Sequence, residues 1–210
     1  MKKVFCAYCG INIADTKDHV PPKCIFPKPR PHNLITVPSC KDCNAGASKD
    51  EEYFLSAMMM SDAGITEAGR KHWEKLRKVF ARNRGGFHSI RPNLKRVSVY
   101  TPSGLYGGES ISFKYDDERF REVVTKIAKG LYYFEYETRL PDTAKIMYSF
   151  LNTSSKRQIA RKYLPETKNG KRAWRGKFEY RHNKLAARNE GSIWLFMFYG
   201  VLEFWVVTNS

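Results

Sequence analysis

Two Cys-x-x-Cys sequences, Cys6–Cys9 and Cys40–Cys43, constrain this chain more than anything else in it. Such a turn aims two thiolates at one point, and two of them complete a tetrahedron around zinc. Cys6, Cys9, Cys40 and Cys43 are therefore expected to form a closed structural zinc site. The competing reading, two redox or disulfide pairs, would suit flanks with a βαβ pattern, which these lack. Cys24 is left over and reads as a small reduced side chain on a proline-rich loop.

Charge speaks to partners. The chain of 210 residues carries 37 Lys and Arg against 21 Asp and Glu, a net +16. A polyanion such as DNA or RNA is the natural counterpart, because neutralising phosphates releases condensed counterions. The excess lies beyond the cysteine segment: residues 70–96 hold ten basic residues and only Glu74 as an acid, and residues 156–188 hold twelve against Glu166 and Glu179. Met1–Phe5 leads straight into Cys6 without an apolar stretch, so no secretory leader is expected and a cytoplasmic location is. The most apolar run, Ile193 to Val207, is broken by Gly200 and Glu203 and reads as paired strands, so no membrane partner is expected.

Between the cysteine pairs lies Asp18-His19-Val20-Pro21-Pro22. Asn33-Leu34 follows, and the second pair runs directly into Asn44. The ordered set, spanning Cys6 to Glu52 and less than a quarter of the chain, resembles the HNH endonucleases whose ββα-metal fold is clamped by a four-cysteine zinc. The resemblance implies that His19 is the general base taking a proton from the attacking water, and that Asp18 is a ligand of one divalent ion. It also implies that Asn33 ties the loop and helps to orient the base. Asn44 stands at the last motif position, where this chain reads H-N-N rather than H-N-H. An amide oxygen there suits a hard ion, Mg²⁺ or Mn²⁺, better than zinc or nickel. Adjacent side chains of a strand point to opposite faces, so a twist or bulge is needed to aim both Asp18 and His19 at one site.

Local patterns agree with a β-β-α order. Residues 16–20 and 34–37 read as strands, the second closed by Pro38, and 45–61 as a helix. A second helix is expected over 66–84, with Ile65, Trp73, Leu76, Val79 and Phe80 on one face. Its other face carries Arg70, Lys71, Lys75, Arg77, Lys78 and Arg82. Strands are expected at 95–100, 110–115, 144–151, 177–181, 193–199 and 202–208, and helices at 117–139 and 155–164, with Gly130 a mild fault in the first of these. The fold class is thus α+β: a zinc-stapled ββα-metal module at 1–64, a basic connecting helix at 65–90, and an α+β domain with antiparallel strands at 91–210. Lys49, Arg70, Lys71, Lys78, Arg172 and Arg175 are the expected nucleic-acid contacts. The function implied is hydrolysis of phosphodiesters in DNA, with RNA as the second substrate, in the manner of a bacterial or phage defence nuclease. The rival is a non-catalytic zinc module that binds nucleic acid.

Overall fold

A computed structural model describes residues 3–81, 90–185 and 191–209. The chain mixes helices with antiparallel sheets. It begins with a two-stranded sheet, β1 (Thr16–His19) against β2 (Thr36–Ser39), followed by the short helix α1 (Lys41–Ala45) and the longer α2 (Ser48–Met59). The expected single helix is thus split at Gly46-Ala47, and α1 starts earlier, where the Asp15 carboxylate accepts from the Lys41 N–H at 3.0 Å. Pro38 does not close β2 but lies within it, opposite Lys17. A two-stranded sheet tolerates this because each strand has a free edge.

Helix α3 (Glu67–Ala81) comes next. Its predicted continuation with Arg82 lies outside the described residues, as does anything to be said of the side chains of Lys75, Val79 and Phe80. Ile65, expected on the apolar face, is 71% exposed. A hairpin of β3 (Leu94–Tyr100) and β4 (Tyr106–Phe113) stands apart as its own sheet. Helix α4 (Asp117–Tyr136) is capped by Asp116, which accepts from the N–H groups of Glu118 and Arg119. The remaining elements are β5 (Lys145–Phe150), α5 (Ser154–Tyr163), β6 (Lys168–Asn169), β7 (Phe178–Lys184), β8 (Ser192–Phe198) and β9 (Leu202–Asn209). The five strands form an antiparallel sheet in the order β5-β9-β8-β7-β6. The apolar run from Ile193 is the β8–β9 hairpin, turning at Tyr199-Gly200 with both residues at positive φ. Among the described residues, no helix is long and apolar enough to cross a membrane.

One cluster of buried side chains reaches from Cys6 to Val206 and joins residues on both sides of the 65–90 segment. Phe54 of α2 meets Phe120 of α4 at 4.7 Å and Phe198 of β8 at 5.5 Å, ring centre to ring centre. Arg119 of α4 donates to Asp50 at 2.6 Å and to the Lys49 carbonyl at 2.8 Å, while its guanidinium covers the Tyr53 ring. Gly130 proves to be a contact rather than a fault. A Cβ built there would lie 2.6 Å from Cγ2 of Val20, the residue after His19, so glycine lets α4 approach the end of β1.

Candidate functional site

The four cysteines expected to bind zinc come together. Their sulfurs all lie within 4.8 Å of one another, with Cys9 and Cys40 at 4.0 Å. A tetrahedral zinc with bonds of about 2.3 Å would set its ligand sulfurs about 3.8 Å apart, so the cluster is close to the size of the ion. Gly10, at φ +66°, closes the first turn by donating to the Cys6 carbonyl, and in the second Cys40 directly precedes α1. The electrostatics call for a cation. Burial works against a Cys6 thiolate, yet the N–H groups of Cys9, Cys40 and Tyr8 outweigh it and bring its pKa down to about 6. Burial, then the sulfurs of Cys40 and Cys6, pushes Cys43 up. Four sulfurs this close cannot all ionise without a positive centre, and the cluster could hold a zinc ion in that place. Cys24 lies apart, half-buried, its thiol pushed up to about 12 by desolvation and by Glu51, which suits an unreactive side chain.

His19 ends β1 and is half-buried. Burial and the charges of Lys23 and Arg30 hold its pKa below the usual histidine value, against an opposing pull from Asp18. The imidazole is therefore neutral at physiological pH, the state a general base needs. Lys23 and Arg30 belong to the β1–β2 connection, where the Arg30 Nε donates to the Lys23 carbonyl at 3.0 Å.

Asp18 does not join His19. The β1–β2 register runs unbroken, so the bulge needed to aim both side chains one way is absent, and strand alternation sends them to opposite faces. The Asp18 carboxylate is buried. It accepts from the Tyr8 hydroxyl at 2.9 Å and from the His19 N–H at 2.8 Å, and pairs with Lys126 at 2.9 Å. Lys126 reaches this point from α4. Its ammonium also sits 2.8 Å from Oε1 of Glu51 and 3.4 Å from the backbone carbonyl of Asn44. Asp18, Glu51 and Asn44 thus converge on a cation, and that cation is a lysine of the chain itself. The Asn44 amide donates to the Thr16 hydroxyl at 3.0 Å and to the Lys17 carbonyl at 3.5 Å, tying α1 to β1.

Asn33 is exposed, and its partners come from far along the chain: the Trp174 indole N–H donates to its Oδ1 at 3.1 Å, and Arg172 donates to its backbone carbonyl. It anchors the β1–β2 connection to the segment before β7. Arg172, expected at nucleic acid, spends part of its guanidinium there and lies over the Phe134 ring at 5.8 Å. Lys49, Arg70, Lys71, Lys78 and Arg175 are exposed, with the Arg70 Nε donating to the Ile65 carbonyl. Tyr132 and Trp174, aromatic residues that could stack bases, are buried.

Sequence reasoning missed Tyr8, Glu51 and Lys126. Lys126 carries no local signal, since it stands far beyond the motif on a helix that reads only as core. Lys23 and Arg30 were visible as charges in a proline-rich loop but not as neighbours of His19. No family model, no curated protein and no solved structure matches this chain.

Proposed function

We propose that the chain is a zinc-clamped endonuclease of HNH type that hydrolyses phosphodiester bonds in DNA, with RNA as the second substrate, and that His19 is its general base. The observation that supports this best is the pairing of the four-cysteine cluster with a β-β-α unit whose first strand ends in a histidine held neutral beside Lys23 and Arg30. Zinc on Cys6, Cys9, Cys40 and Cys43 holds the unit together and takes no part in the reaction. A water beside His19 gives its proton to the imidazole as its oxygen attacks phosphorus. Lys23 and Arg30 offset the charge that gathers on the phosphate. The phosphorus–oxygen bond to the leaving 3′ oxygen breaks, that oxygen takes a proton from solvent, and the products are a 5′-phosphate and a 3′-hydroxyl.

The divalent ion that the resemblance implies, Mg²⁺ or Mn²⁺, does not fit Asp18 as arranged. A carboxylate already paired with a buried ammonium has little charge to offer, and a second cation beside that ammonium would be repelled. An ion at Asp18 requires Lys126 to withdraw. The same pairing favours the second reading, a zinc module that binds nucleic acid without cutting it.

Supercoiled plasmid separates the two. The zinc-loaded protein and His19→Ala are incubated with Mg²⁺, with Mn²⁺ and with no added ion. The proposal expects cleavage by the unaltered protein and a loss of about 10²–10⁴-fold in His19→Ala at unchanged zinc content. Equal DNA binding by both proteins with no cleavage under any condition supports the non-catalytic reading.

A further inference from the structure

A cavity of about 340 Å³ opens between the proline-rich β1–β2 connection, the start of α3 and the turn before β7. Lys28, Lys71, Arg175 and Lys177 line it, drawn from all three segments; Glu67 lines it too, and Glu179 accepts from the N–H of Gly176 in its wall at 3.1 Å. Lys71 meets Glu67 at 3.9 Å, with both side chains well exposed, a contact that stabilises little. Among the described residues, Lys28, Arg175 and Lys177 form no ion pair. Three positive charges therefore face the hollow without an ion pair, and the N-terminal end of the 15-residue α3 adds its partial positive charge.

The walls are fixed. The Tyr199 hydroxyl donates to the Ile25 carbonyl at 2.7 Å, and Nε2 of His72 lies 3.0 Å from the same oxygen. The rings of Phe26 and Trp174 meet edge to face at 5.0 Å. Gly176, at φ +68°, makes the tight turn that carries Arg175 and Lys177 on either side. The connection that supplies Lys28 also supplies Lys23 and Arg30, whose charges act on His19.

We propose that this cavity is a subsite for a phosphate monoester, the 5′-terminal phosphate of a nucleic-acid strand. A terminal phosphate carries nearly two negative charges and three strong acceptor oxygens, which suits three unpaired cations. A phosphodiester inside a strand carries one charge and must pass through the site in both directions. A hollow of about 340 Å³, with the buried Tyr199 among its lining residues, suits a terminal group. The strand, and the choice of its 5′ end, rest on the proposed hydrolysis, whose product carries its phosphate there; the anion chemistry does not.

The test is a binding measurement with zinc-loaded His19→Ala and no added divalent ion, so that no strand is cut. Two short single strands, identical except for a 5′-phosphate or a 5′-hydroxyl, are titrated by fluorescence anisotropy, with inorganic phosphate as competitor. The phosphorylated strand is expected to bind about tenfold more tightly. In Lys28→Met/Lys177→Met, which removes two of the cavity's unpaired charges and none of the expected strand contacts, that preference disappears while the hydroxyl strand still binds. Equal binding of the two strands, or a preference that survives the double substitution, overturns the proposal. Inorganic phosphate that displaces the strand mole for mole overturns the strand end as its source. Because the readout is binding alone, failure here is distinct from failure of the proposed hydrolysis.

Discussion

The ammonium of Lys126 stands 2.9 Å from Oδ2 of Asp18, so the acid next to the candidate base is neutralised from within the chain. The side chains of Asp18, Glu51 and Lys126 are 9%, 17% and 11% exposed. Lys126→Met would leave two buried carboxylates without their cation. A loss of about 3–5 kcal/mol is expected on breaking such a buried group, measured by urea unfolding at neutral pH. Burial disfavours the Lys126 charge, but its bonds to Glu51 and Asp18 outweigh this and raise its pKa above the usual lysine value. Its contribution is therefore fully present below the ordinary lysine pKa and is lost as pH rises through the raised folded value. A loss under about 1 kcal/mol would assign the pair the weight of a surface contact.

Zinc in the four-cysteine cluster would hold the first fifty residues in place. One zinc per chain is expected by elemental analysis. Cys43→Ser, or a strong chelator, should unfold the β1–β2–α1 unit, because structural zinc contributes about 10 kcal/mol or more to small sites. A chelated protein with an unchanged circular dichroism spectrum and unchanged melting temperature would contradict this.

As the proposed base, His19 would set the acid side of the activity profile. Its pKa lies below the usual histidine value, through burial first and then Lys23 and Arg30. The base works only when neutral, so kcat/KM should rise with pH through a midpoint below about 6.5 and level off by neutrality. Lys23→Gln removes a nearby positive charge and should move that midpoint upward. A midpoint that does not respond to Lys23→Gln would detach the profile from His19.

Gly130→Ala tests the contact between α4 and the end of β1. At an exposed helix position this change stabilises by up to about 1 kcal/mol. Here the new Cβ would meet Cγ2 of Val20 at 2.6 Å and the Tyr8 hydroxyl at 3.2 Å. The sign should reverse, to a loss of about 1–3 kcal/mol typical of overpacking, measured by denaturant unfolding. A stabilised variant would mean that α4 and β1 separate readily.

Local chemistry made much of this legible. The cysteine spacing located the cluster, because two such turns have one way to share an ion. Residue alternation found most of the large sheet, and Tyr199-Gly200 its hairpin turn, because a half-buried strand writes its two faces into the sequence. Relationships between distant segments were not legible. Lys126 has no reason within its own helix to end beside Asp18, and Trp174 none to donate to Asn33; each depends on how α4 and the five-stranded sheet pack against the first fifty residues. The two-residue β6 is too short to carry a pattern. Gly130 looked like a weak point because a single helix does not show what will press against it.

The account depends most on His19 as the base, and chemical rescue tests that directly. Single-turnover cleavage of a labelled duplex is measured for the unaltered protein and for His19→Gly at equal zinc content, with and without free imidazole. The account predicts a loss of about 10²–10⁴-fold in the variant and partial recovery that rises with the concentration of neutral imidazole. A His19→Gly protein that cleaves at the unaltered rate would contradict it.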